Sequence, residues 1–385
     1  MVTASGVFER DAPRYIESAT GRIAKYPSSL WRRWGLRLLI AAPFIAFAVW
    51  FDIASGHGWA GTANQALAAR VDGIAWGTPT ADVISALYPP ISSIIAIFIP
   101  GGPLGLGILG ALIAGLTVQL VIQSLQRKHF PPGVRAVFAL TLALSPGYAY
   151  IVTTNFEAAL GLMFFGLGMI DLVRFVTYAN TQAGFRAGIL FACSAFSDAT
   201  GLFAAIVAAF AGVLIIQSRR GARWANAVVV VFPTLALLGA LALLGIAFRA
   251  GPLAMIRGDL RWDPARAQTY ADLIVSPGGL LYLAPTIIVV LTAIALRYPG
   301  VGLVAVLLTA MTGLAFIVGL TPPGVAGQNF VTMLLLAVAI VPAAVSLRHA
   351  LLTIATSVLL YAAGWAAALQ QSALVHWLHV LGGGT

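Results

Sequence analysis

About eleven apolar runs follow one another along this chain, most of them 17–24 residues long, with short gaps between them. A helix rises 1.5 Å per residue, so about 20 apolar residues cross the ~30 Å hydrocarbon core of a bilayer. The runs lie at about 36–54, 104–125, 135–152, 156–174, 186–199, 201–217, 225–248, 280–297, 300–320, 330–347 and 351–369. Only 9% of the 385 residues are charged, where a soluble domain carries about 25%. So few charges cannot cover a water-facing surface, whereas lipid tails are as apolar as the side chains against them. No short internal period marks a fibre or a repeat array. The expected fold is an all-α integral membrane protein with about eleven transmembrane helices.

The gaps set the topology. Basic residues fall in alternate gaps: Arg32, Arg33 and Arg37; Arg127, Lys128 and Arg135; Arg174 and Arg186; Arg219, Arg220 and Arg223; Arg297; and Arg348. The positive-inside rule then puts the N-terminus in the cytoplasm and the C-terminus outside. Counting Tyr88–Pro100 as a span would invert everything after it. That stretch, ISSIIAIFIPGGP after Tyr88-Pro89-Pro90, is instead expected to be interfacial or re-entrant, and residues 62–76 a short helix on the interface. The organisation is a cytoplasmic tail over 1–35, a transmembrane domain over 36–369 with external loops 55–103 and 249–279, and an external tail over 370–385. Ser197 and Asp198 at the end of the short run 186–199 suggest a broken helix. Two lysines against twenty arginines, with abundant Ala and Gly, point to a GC-rich bacterial genome and hence a bacterial plasma membrane.

The formal charge of +10 does not indicate nucleic acid, because the basic residues sit in loops rather than in one patch with interleaved aromatics. A single cysteine, Cys193, excludes an internal disulfide. His376 and His379 have no evident third metal ligand. The glycines from Gly102 to Gly107 lack the strand and turn of a dinucleotide loop. No Walker, Ser–His–Asp or redox motif occurs.

Chemistry is therefore sought among the twelve acids. Glu9, Asp11 and Glu17 lie in the N-terminal tail. Asp171, three residues from Arg174 at a cytoplasmic end, reads as an ion pair. The other eight are expected at the external surface: Asp52, Asp72, Asp82, Glu157, Asp198, Asp259, Asp263 and Asp272. Carboxylates at a membrane are costly unless paired or hydrated, which makes Asp52, Glu157 and Asp198 candidates for one shared external cavity. Each also suits a hydrated helix end, and Glu157 the N-terminal dipole of its helix. Arg249, Arg257, Arg261 and Arg266 stand in an external loop against the charge rule. Guanidinium forks match phosphate oxygens, although Asp259, Asp263 and Asp272 offer them partners in the same loop.

Over residues 36–220 the order of these features resembles the GT-C superfamily of membrane glycosyltransferases. A first span ends in an acid, Asp52. A long external loop carries Tyr88-Pro89-Pro90 and an apolar segment. Ser145-Pro146 is followed by Thr153-Thr154-Asn155-Phe156-Glu157. A GxLxAxSAxxxxxGL segment runs from Gly188 to Leu202. The resemblance implies transfer of a sugar from a polyprenyl phosphate donor to a glycan, lipid or protein acceptor of the cell envelope, at the external leaflet. It implies Asp52 as base on the acceptor hydroxyl, Glu157 as a further acid or acceptor contact, and Arg249, Arg257 or Arg261 on the donor phosphate. Tyr88, Asp82 and Asp198 join the expected substrate contacts. Members of the superfamily often carry paired acids where Asp52 stands alone, so Asp72 and Asp82 are alternatives for the base. The resemblance requires no fixed cofactor and leaves room for a divalent cation. A transporter or flippase of a lipid-linked glycan, and a non-catalytic subunit of an envelope-assembly complex, are the competing functions. A transporter would favour internal repeats and mid-membrane polar groups.

Overall fold

The computed structural model describes residues 25–77, 81–178, 180–216, 223–256, 261–321, 326–340 and 346–383. The helices are Leu30–Ala54 (α1), Ala63–Asp72 (α2), Ala81–Ala86 (α3), Pro90–Phe98 (α4), Gly102–Arg127 (α5), Pro132–Ala143 (α6), Pro146–Thr154 (α7) and Phe156–Tyr178 (α8). They continue as Thr181–Ala195 (α9), Gly201–Ala211 (α10, extended by a π turn over Gly212–Ile216), Arg223–Ala247 (α11), Pro264–Val275 (α12) and Pro277–Ala295 (α13). Pro299–Ile317 (α14), Ala326–Ile340 (α15), Leu347–Ala368 (α16) and Ser372–Leu381 (α17) complete the set. Among the described residues there is no strand.

Within the described residues every expected apolar run meets a helix or a helix pair; residue 217 and residues 341–345 of two runs lie outside them. Among the described residues, seven helices (α1, α5, α8, α11, α13, α14 and α16) are long and apolar enough to cross a bilayer, and α6 with α7, bent by 57°, raises this to eight. The chain is a multi-pass, all-α membrane protein. The other three runs are α9, α10 and α15. At 15 residues each, α9 and α15 reach only about 22 Å.

Proline sets many of the boundaries. Pro90, Pro132, Pro146, Pro264, Pro277 and Pro299 each open a helix, where the missing N–H costs nothing and φ is already helical. Pro146 also separates α6 from α7, because the residue before proline avoids the helical region; Ser145 has ψ 122°. Packing depends on small residues, as expected where lipid offers no hydrophobic drive between helices. A Cβ added at Gly115 of α5 would lie 3.1 Å from Ala41 of α1, and one at Gly107 would lie 2.7 Å from the Thr153 carbonyl. As α5 runs from Gly107 to Gly115, its α1 neighbours run from Ala48 back to Ala41, so the two helices are antiparallel.

Antiparallel alternation collects the helix ends into two groups. One end holds the segment between α1 and α5 with α2, α3 and α4, the breaks before α8 and α10, and the segment around α12. The other holds the α5–α6, α8–α9 and α13–α14 connections. C-terminal residues expected to form a tail fold as α17, which seats Trp377, 3% exposed, edge-on to Phe47 and Tyr150 at ring distances of 6.2 and 5.9 Å.

Candidate functional site

At the first end, the chain turns back sharply after α1. Gly56 and His57 both adopt positive φ (61° and 63°), and the His57 amide donates to the Asp52 carbonyl at 2.7 Å. That turn brings the His57 Nδ1 to 2.7 Å from Asp52 Oδ2, while Trp59 Nε1 donates to Asp52 Oδ1 at 2.7 Å. Asp52 is thereby sealed, 7% exposed, and the His57 side chain covering it is 78% exposed. The imidazole thus sits at the surface with Nδ1 against the carboxylate.

Helix α2 docks through Asn64. Its amide donates to the Thr153 carbonyl at 3.0 Å and accepts from the Phe156 amide at 2.8 Å. These backbone groups are freed by the break between α7 and α8, and a buried backbone group needs a partner. So docked, α2 sends Arg70 inward, towards α8.

Arg70 Nη2 donates to Glu157 Oε1 at 2.6 Å and to Ser93 Oγ at 2.9 Å, and Ser92 Oγ donates to the same Glu157 oxygen at 3.2 Å. The Arg70 side chain is 8% exposed, yet its Nε and Nη1 are buried without a hydrogen-bond partner among the described residues. One turn along α8, a Cβ at Gly161 would lie 2.7 Å from Asp198 Cβ, so the turn between α9 and α10 carries Asp198 against the same helix face. Asp198 accepts from the Thr200 amide at 3.1 Å and from Gln328 Nε2 of α15. Burial and the Glu157 carboxylate push the Asp198 carboxyl up to about 6, against these hydrogen bonds.

Tyr88 closes the cluster. Its ring lies edge-on to Phe196 at 6.2 Å, and the Ile91 amide donates to the Phe196 carbonyl at 2.9 Å. Its hydroxyl is buried and has no partner among the described residues. Burial first, then the Asp198 and Glu157 carboxylates, push the phenol above its ordinary range, so it stays a proton donor. The result is a polar cluster of Arg70, Tyr88, Ser92, Ser93, Glu157 and Asp198, with Arg70 Nε, Arg70 Nη1 and the Tyr88 hydroxyl unmatched among the described residues.

Among the expected site residues, Tyr88, Glu157 and Asp198 thus meet. Asp52 belongs to its own turn, before α2, whereas Arg70 lies near the far end of that helix. Asp72 and Asp82 are exposed. Arg249 and Arg261 are exposed and form no hydrogen bond or ion pair with these carboxylates; Arg257 lies outside the described residues. Asp263, Asp272 and Arg266 of that loop are engaged locally, and Asp259 lies outside the described residues. Asp263 caps α12 and lies 3.6 Å from Arg266, which also donates to the Phe316 and Thr321 carbonyls. Sequence reasoning overlooked Arg70. Arg70 too is a basic residue in an expected external loop, but nothing in its local sequence separates it from a solvated arginine.

Comparison with protein-family models, with curated proteins and with solved structures finds no match for this chain.

Proposed function

We propose that this protein is a membrane glycosyltransferase of the GT-C type, with eleven spans. In this reading it draws a sugar from a polyprenyl phosphate donor on the outer side of a bacterial plasma membrane. The carrying observation is the buried Arg70 guanidinium, which spends one nitrogen on Glu157 and Ser93 and leaves two donors unmet beside that carboxylate. A phosphate oxygen is the partner such a fork fits, and a charge-assisted bond is the strong kind. Donor phosphate seated on Arg70 competes with Glu157 and frees it as base. The acceptor oxygen then bonds to the sugar's anomeric carbon as the bond to the phosphate oxygen breaks. The hydroxyl proton passes to Glu157, and the leaving phosphate keeps its electron pair, stabilised by Arg70 and the Tyr88 hydroxyl. Positioning and charge stabilisation carry such a step, because the leaving group is already a phosphate. Asp52, expected as the base, is reached from solvent through His57 and serves this scheme as an orienting group for the imidazole.

The test uses purified protein in nanodiscs with radiolabelled polyprenyl-phosphate mannose or arabinose and washed envelope membranes as acceptor. Transfer is expected with one of these donors. It should be lost in Glu157→Gln, and unglycosylated polyprenyl phosphate should bind the wild type more tightly than Arg70→Gln. Equal binding by the two proteins would remove the phosphate role, and lipid flux across the bilayer without transfer would make the cluster a transporter's. Normal transfer in Asp52→Asn would take that residue out of the chemistry.

A further inference from the structure

At the opposite end of the molecule, a cavity of about 300 Å³ lies on the outside of the bundle between α5, α8 and α9. Helix α8 forms its floor. Towards the middle of the helices its walls are Leu120, Leu167 and Leu190; towards their ends they are Arg127, Asp171 and Arg186. Asp171 is almost fully buried, and its two oxygens take Arg174 Nη1 and Arg186 Nη2 at 2.9 Å each. The charge of Arg127 also reaches it. Three arginines therefore surround one carboxylate, a net charge of +2. The Arg186 side chain remains 44% exposed at the rim.

Polarity changes along the groove in one direction. On α5, Leu120 precedes Arg127 by two turns; on α8, Leu167 precedes Asp171 by one; on α9, which runs the other way, Arg186 precedes Leu190 by one. All three helices therefore place their charge at the membrane edge and their leucine towards the midplane. A phospholipid has the same gradient, with a charged head at the interface and a chain running inward. The volume admits about ten groups the size of a water or methylene, enough for a phosphate and the first part of one chain. Basic pockets between transmembrane helices hold anionic lipid head groups for this reason.

We infer that this groove binds one anionic phospholipid, its phosphate at Arg186 and Arg127 and an acyl chain along Leu167 and Leu190. This site is separate from the Arg70 cluster and does not depend on the transferase reading.

Native mass spectrometry of the full chain, released from nanodiscs, tests it with phosphatidylglycerol and phosphatidylcholine of identical chains. Phosphatidylglycerol should be retained about tenfold better, and Arg186→Gln should lower its retention about fivefold. Leu167→Trp, which fills the groove and leaves the charges, should lower it as well. Arg70→Gln should leave it unchanged. Equal retention of the two lipids would overturn the inference, as would retention unaltered in both groove variants with an unchanged melting temperature. Displacement by millimolar inorganic phosphate would reveal an ion site, and preferential displacement by polyprenyl phosphate a donor site; either result would also overturn it.

Discussion

Helix α8 carries a half-buried carboxylate, Glu157, at its start and a buried one, Asp171, towards its other end, and the two are paired in opposite ways. Glu157 meets a single arginine from a docked loop helix, with Asp198 one turn away, so acids outnumber bases. Asp171 meets two arginines directly and feels a third, so bases outnumber acids. At the first end the guanidinium is enclosed and retains unmet donors. At the second, Arg186 borders an open apolar groove. The same two residue types make an enclosed polar cluster in one place and border an open groove in the other. Burial and stoichiometry decide which.

The comparison is most easily broken by removing one member of each pair. Arg70→Gln strands Glu157 in the interior, a loss of about 3–5 kcal/mol, read as a large drop in melting temperature in detergent. Replacing both Arg70 and Glu157 with methionine should recover most of that stability while abolishing polyprenyl phosphate binding. A single-variant loss below about 1 kcal/mol would mean that the pair is effectively solvated.

The second effect separates the ends by pH. Asp198 binds its proton more tightly in the folded protein (about 6, against 3.8 when unperturbed), so the native state holds more protons than the unfolded chain between these values. Stability is then highest below about pH 4 and falls as pH rises through 6, by about 3 kcal/mol at this site. Melting curves of Asp198→Asn across that range should lack this component of the slope. An unchanged slope would place the titration elsewhere.

Next comes Asn64→Ala, which deprives the Phe156 amide and Thr153 carbonyl of their partner and should cost about 1–3 kcal/mol. Hydrogen exchange should rise at Phe156 while the Asp171 end stays protected. The smallest effect is expected for Arg186→Gln, below about 1 kcal/mol, because that side chain is half in solvent and Asp171 keeps Arg174. A larger loss there would show the two pairs to be energetically alike.

Much of the helical layout was legible from the apolar runs. Each run met a helix, and Tyr88-Pro89-Pro90 did mark a short helix that is not a span. The cluster was legible only in part. Glu157 and Asp198 stood out as carboxylates at a membrane, and Tyr88 only through the resemblance. Arg70 did not, because a lone arginine in a polar helix of a loop has the composition of an ordinary solvated residue. Its burial arises only when Asn64 docks α2 onto the break between α7 and α8. The arginines of the 249–279 loop stood out for the converse reason. Their excess over the charge rule is visible in the chain, whereas the local capping and pairing of Asp263 and Arg266 is not.

Run length, proline positions and the scarcity of charge by themselves determined that this chain is a helical membrane protein, because the cost of exposing backbone or charge to hydrocarbon is set residue by residue. Asp171 and Arg174 pair as their spacing predicts, but which carboxylate meets which arginine across helices was decided by tertiary structure. Those partners lie 87 residues apart for Arg70 and Glu157, and only the close approach of helices across small residues brings them within bonding distance.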